Sequence, residues 1–184
     1  MINELKNDAE ERMSKSLDAL ANAFNKIRTG RAHSSLLNGI SVDYYGVDTP
    51  LSQAASIVVE DSRTLSVTPW ERSLIPDIEK AIMKSDLGLN PQIDGQLIRL
   101  PVPELNEERR RELSRVAGQY AESARVAVRN IRRDGMDQIK RAKSDGMSED
   151  DQKFWEETVQ ELTDTTITTL DKFLESKQEE IMQV

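Results

Sequence analysis

The sequence predicts an α+β protein: an elongated three-helix bundle interrupted after its first helix by a small α+β insert. Apolar residues recur at steps of three and four over three long stretches, the signature of amphipathic helices. All six prolines and the short β-branched runs fall in the stretch between the first and second of these. The 184 residues are 32% charged and only 37% apolar. A chain of that balance buries a core only by concentrating its apolar residues in stripes, which favours long helices over a thick globule.

The first helix is marked by Ile2, Leu5, Ala9, Met13, Leu17, Leu20, Phe24 and Ile27, and the pattern ends just before Gly30. The insert leaves the bundle at Thr29-Gly30-Arg31. In it Ile40, Val42 and Tyr44 alternate, SIVVED and RTLSVTPW read as strands, and the Asp-Gly of IDGQLIRL signals a hairpin. Between them Ser73 to Leu87 reads as one helix, with Pro76 tolerated in its first turn and Gly88 as its stop. The chain returns through Pro101-Val102-Pro103-Glu104, so two short crossings form a two-stranded hinge. The second long helix opens at Asn106, a good N-cap, with Glu107 and Glu108 where the helix dipole favours acids. Its stripe runs through Leu113, Ala117, Tyr120, Ala124, Val128, Ile131, Gly135 and Ala142. Gly135 costs up to about 1 kcal/mol in a helix interior, and nothing in the sequence accounts for it. The third starts at Ser148 with Asp151 three residues on, and continues through Trp155, Val159, Leu162, Thr166, Leu170, Phe173 and Ile181. The short break SDGMS makes the last two helices an antiparallel hairpin, which the first completes to a bundle. The predicted domains are therefore 1–29 with 106–184, and 30–105.

Composition excludes much chemistry. Without cysteine there is no disulfide, thiol nucleophile or Cys-based metal site, and His33 is the one histidine. Ser34 and Ser35 stand beside it, but with no acid in sight to orient the imidazole, a solvated junction histidine is the expectation. No glycine pattern forms a nucleotide loop. Three Phe, three Tyr and two Trp offer little to line a sugar site, and Asp43-Tyr44-Tyr45 is expected as a strand with one buried ring. No catalytic residue, cofactor or metal is expected. No run is apolar enough to span a membrane, and the acidic N-terminus is unlike a signal peptide, so a cytoplasmic protein is expected.

The net charge of -8 conceals a segregation. Residues 107–145 carry eleven bases against seven acids, whereas 149–184 carry eleven acids against three bases. On a wheel of 100° per residue from Leu113 the apolar stripe lies within about 60° of zero. Arg111, Arg115, Arg125, Arg129, Arg132, Arg133, Lys140 and Lys143 fall at about 100° to 200° on the same wheel. The expectation is a single-signed, solvent-facing ridge, rich in the residue that forks phosphate best, and hence an RNA or phosphate surface. A helical scaffold docking an acidic protein is the alternative.

KIRTGRA at 26–32, EDSRTL at 60–65, EKAIMKSDLGLNP at 79–91, the stretch from Ile98 to Leu113, ARVAVRNIRRD at 124–134 and SEDD at 148–151 together resemble bacterial ribosome recycling factor. The resemblance covers essentially the whole chain in order. It implies a three-helix bundle with an inserted β/α/β domain, L-shaped overall and similar in size to transfer RNA, acting as a monomer without enzymatic activity. Such factors bind the post-termination ribosome on the large-subunit RNA and, with GTP-bound elongation factor G, separate the subunits and release messenger and transfer RNA. Carried over, the ribosome-contacting arginines are Arg28, Arg31, Arg110, Arg129, Arg132 and Arg133, and the hinge is Thr29, Gly30, Ser34, Pro101, Pro103 and Glu104. Ser34 stands where the family often has proline, and Asn106 where threonine is common.

Overall fold

The computed structural model describes residues 2–183, and the chain divides into two compact units at Ile27/Arg28 and at Asn106/Glu107. In chain order the elements are α1 (Ile2–Asn25), β1 (Ser41–Tyr44), β2 (Val47–Pro50), α2 (Leu51–Ala54), β3 (Ala55–Asp61), β4 (Thr64–Pro69), α3 (Ile75–Lys84), β5 (Gln92–Asp94), β6 (Leu97–Pro101), α4 (Glu107–Ser144) and α5 (Glu149–Met182).

The first unit is α1, α4 and α5. Helices of 38 and 34 residues extend for about 57 and 51 Å at 1.5 Å per residue, so each must find partners along its whole length. Their stripes supply them. Ala9 and Met13 of α1 pack with Val128 and Ile131 of α4, and Leu5 with Ile139 and Val159. Thr163 and Thr166 enter this core, and both hydroxyls donate back to the carbonyls four residues earlier at 2.8 Å, so burial leaves neither unsatisfied. The α4–α5 turn combines two caps. Gly146 at φ +107 ends α4, with Gly146 N donating to Lys143 O and Met147 N to Ala142 O, the two bonds of a Schellman motif. Ser148 Oγ then accepts from Asp151 N at 3.1 Å and starts α5.

Gly135 is buried where α4 meets α5, and a Cβ on it would lie 3.4 Å from Val159 Cγ1, an ordinary contact, so a methyl fits there and a larger side chain does not. Three expectations need correction. α1 ends at Asn25, and Ile27 is buried from a turn outside the helix. Tyr120, expected on the buried face, is 43% exposed, because the residues beside it in the α1–α4 groove include Ser16, Ala19 and Ala23, too small to cover a ring. Phe173 is also exposed, at the rim of α5.

The second unit is an antiparallel sheet in the order β3-β4-β6-β5, with the separate hairpin β1–β2 and helix α3. Leu65, Val67, Ile98 and Leu100 from the two central strands meet Ile78 and Ile82 of α3, Val42 of β1 and Leu51 of α2 in one core. The hairpin signalled by Asp94-Gly95 forms, but its two-residue turn is Gly95-Gln96, with Asp94 already paired to Leu97 and Gly95 at φ +65. The helix expected over Ser73–Leu87 is shorter: a 3-10 turn at Arg72–Leu74 precedes α3, which ends at Lys84 where the Ser85 hydroxyl donates to Ile82 O. Neither ring of the Tyr44–Tyr45 pair is buried. Tyr44 ends β1 half-covered by the core, and Tyr45 lies in the turn, 79% exposed.

Candidate nucleic-acid interface

The basic face of α4 is held on one rigid element whose opposite side is core. Its members separate by angle. Arg129, Arg133, Arg115, Arg111 and Lys140, at about 160° to 200° on the wheel, are exposed. Arg125 and Arg132, at about 100° to 120°, are half-buried and lean onto α5. Arg125 donates through Nη2 to Asp171 Oδ1 at 2.6 Å and through Nη1 to Glu122 Oε2 at 3.1 Å. The Asp171 hydrogen bond is the largest cause of a guanidinium pKa raised above its ordinary value. Arg132 Nε donates to Gln160 Oε1 at 2.6 Å.

The expectation of a single-signed ridge is not met. Glu107 and Glu122 stand on the same face: Glu107 pairs with Arg111, and Glu122 with both Arg125 and Arg129, the latter at 3.3 Å. The wheel of the bases alone missed them, although plotting the acids at 100° per residue puts Glu122 near 180°. Among the described residues Arg115, Arg133 and Lys140 have no ion pair, and with Arg129 they form the band that presents positive charge to solvent.

Arg110 is placed elsewhere. Only 8% exposed, it directs Nη1 to Ile181 O at 2.9 Å and also to Gln183 O, holding the last carbonyls of α5. A cation there satisfies acceptors that a helix end leaves open. The sequence did carry a signal for this, since Arg110 falls at about 60° on the wheel, on the margin of the apolar stripe.

The remaining site residues lie in the second unit. Arg28 donates to Leu87 O at 2.9 Å and Asp86 O at 3.2 Å, while Arg31 is exposed. Gly30 has φ +76, which favours glycine, and a Cβ on it would also crowd Leu105 Cγ at 3.2 Å. Thr29 is buried. Both crossing segments are tied to the β3–β4 turn: Ala32 N donates to Ser62 O, Val102 N to Arg63 O, and Glu104 pairs with Arg63. Pro101 closes β6 opposite Thr64, and Pro103 follows it at the surface. Ser34 opens a 3-10 turn capped by His33, whose Nδ1 accepts from Ser35 N at 3.1 Å and contacts the Ser35 hydroxyl at 2.6 Å. The histidine at this junction is thus a cap, and among the described residues no carboxylate bonds its ring.

Residues 20–182 match the family model described as ribosome recycling factor. The chain belongs to the ribosome recycling factor family. The factor named ribosome-recycling factor in Paracoccus denitrificans (strain Pd 1222) is 58% identical over 96% of this chain and 95% of its own length. That of Ruegeria sp. (strain TM1040) is 56% identical over the same shares. Among solved structures, a ribosome recycling factor in solution matches with TM-score 0.80 and 39% identity over 100% of this chain and 98% of its own. The T. thermophilus ribosome recycling factor, described with E. coli elongation factor G bound to the E. coli post-termination complex, matches with TM-score 0.67 and 43% identity over the full length of both. The basic band and the glycine-dependent crossing are therefore features of a ribosome recycling factor. No described helix is long and apolar enough to cross a membrane.

Proposed function

We propose that this recycling factor binds the post-termination ribosome through the exposed band of α4, laying Arg115, Arg129, Arg133 and Lys140 along phosphates of the large-subunit RNA. With elongation factor G and the GTP hydrolysis of that partner, it separates the subunits in the cytoplasm and frees messenger and transfer RNA. The observation that carries this is the band itself, cationic side chains facing water along a 38-residue helix whose opposite face is core. The T. thermophilus relative, described beside elongation factor G on the post-termination complex, supports the partner. Arg132 and Arg125 lend charge from the flank, and Arg110 acts by securing the end of α5. In keeping with its family, the protein is read as acting mechanically, with GTP hydrolysis left to its partner.

The crossings serve movement of one unit against the other. Arg28, Ser34, Pro101 and Glu104 are fastened within the second unit, so the change in backbone angle falls at the unit boundaries, Ile27/Arg28 and Asn106/Glu107. Two short covalent crossings between separate cores make such motion the default.

Light scattering of ribosomes mixed with the protein, elongation factor G and GTP tests the function directly. A fall in scattering that needs all three is expected. Ribosome pelleting over a salt series tests the surface. Binding that falls steeply with salt, and less steeply by close to one unit of slope for Arg133→Ala, identifies phosphate contacts. Salt-insensitive binding, or no splitting, overturns the reading.

A further inference from the structure

The β1–β2 hairpin carries two sequence choices that work against its stability. Its two-residue turn is Tyr45-Gly46, with φ +52 and +79, the left-handed pair of a type I′ turn. Asn, Asp or Gly fills the first position without strain, whereas a bulky ring there is an outlier. Directly across the hairpin Asp43 faces Asp48, a like-charge pair that sheets avoid. Burial does not compensate the tyrosine, since it is the most exposed large hydrophobic residue described.

The ring is nonetheless fixed. Tyr45 Oη donates to the Glu71 carboxylate, 2.9 Å from both oxygens, Tyr44 Oη donates to the same group at 3.0 Å, and the two rings meet edge to face at 4.8 Å. Trp70, next to Glu71 and 63% exposed, is held by its Nε1 donating to Gln53 O at 2.9 Å, and Val47 beside the turn is equally open. Asp48 and Glu71 have no ion pair among the described residues, while Asp43 bonds Gly46 N and lines a groove with Lys80 and Lys84. Residues 41–54 contain no Lys or Arg.

Locally strained residues retained on a surface point to use rather than to folding. We infer that Tyr45, Trp70 and the Glu71 carboxylate form a second docking surface, on the unit that lacks the RNA band, for an Arg- or Lys-rich protein segment. Rigid aromatic faces take a guanidinium or ammonium by cation–π contact, and the neighbouring carboxylate completes the pairing. The same carboxylate repels a phosphate backbone. The inference rests on the ribosome-directed reading, and adds a protein contact to its RNA contact.

The test places the photo-crosslinker p-benzoylphenylalanine at Val47, leaving Tyr45 intact, and irradiates the protein on post-termination ribosomes with and without elongation factor G. A crosslink to protein through a Lys/Arg-rich peptide is expected, abolished by adding Tyr45→Asn. A crosslink to RNA, or none, overturns the inference. Tyr45→Asn alone suits the turn, so the variant should fold, pellet with ribosomes within twofold of wild type, and split them several-fold more slowly. Splitting at the wild-type rate also overturns it. Failure of the unsubstituted protein to pellet with ribosomes defeats the ribosome reading instead, which keeps the two failures apart.

Discussion

Replacing Arg110 with Met keeps the aliphatic stem and removes the guanidinium from the end of α5. One nitrogen, Nη1, serves both Ile181 O and Gln183 O, so the two bonds count as one strong interaction. A hydrogen bond to a charged group contributes about 1.5–3 kcal/mol net, and a cation at a helix C-terminus about 0.3–1 kcal/mol more. The expected loss is therefore roughly 2–4 kcal/mol, or about 4–16 °C in Tm for a chain of this size. Urea unfolding followed by circular dichroism should show a lower midpoint with unchanged slope, and amide exchange should quicken over residues 178–183. Ribosome binding, corrected for the folded fraction, should keep its salt slope, in contrast to Arg133→Ala. A variant with wild-type midpoint and exchange, but a flatter salt slope, would show that Arg110 turns outward to phosphate and that the capping argument is wrong.

Gly135→Ala should stabilise by about 0.5–1 kcal/mol from helix propensity, because its Cβ meets Val159 at ordinary contact distance, whereas Gly135→Leu should cost about 1–3 kcal/mol by overpacking; thermal melts check both. Ser34→Pro should raise stability by about 0.4–1 kcal/mol, since Ser34 opens a 3-10 turn after an extended His33 at φ -145, ψ 140, and denaturation midpoints measure it. The Glu71 hydrogen bonds raise the phenol pKa values of Tyr44 and Tyr45 above 10.0. A pKa raised by folding gives stability that is present below the unfolded value and lost as pH climbs through the folded one. Titration at 295 nm should therefore show two late phenols, moved down by Glu71→Gln, and no midpoint shift in that variant would refute the pairing.

The long helices were legible because their periodicity persists for many turns, and Ser148 and Gly146 mark the turn between α4 and α5 by residue type alone. The angle of each arginine on α4 was legible too, but it predicts one solvent-facing ridge from about 100° to 200°, whereas Arg125 and Arg132 at its edge are half-buried. What an angle cannot supply is the neighbour. Asp171 and Gln160, on another helix, decide that Arg125 and Arg132 lean inward, and the carbonyl of Ile181, about 70 residues away, decides Arg110. What limits the size of the residue at 135 is likewise Val159, on another helix. The hairpin turn was missed because Tyr-Gly lacks the usual turn chemistry, and the strain that hid it is what makes Tyr45 informative.

The division of the first unit between the two ends of the chain orders its birth. α1 is synthesised first, yet Val128, Ile131 and Ile139, against which Leu5, Ala9 and Met13 pack, belong to a helix completed about 120 residues later. At about 5–20 residues per second the delay is roughly 6–24 s. Residues 28–106 emerge meanwhile with a core of their own, whereas a lone 24-residue helix is marginal in water. For those seconds the nascent chain trails an apolar stripe with nothing to cover it, so slow decoding within α4 prolongs exposure of the N-terminus rather than of the segment being made. α1 is made well before the residues that secure it.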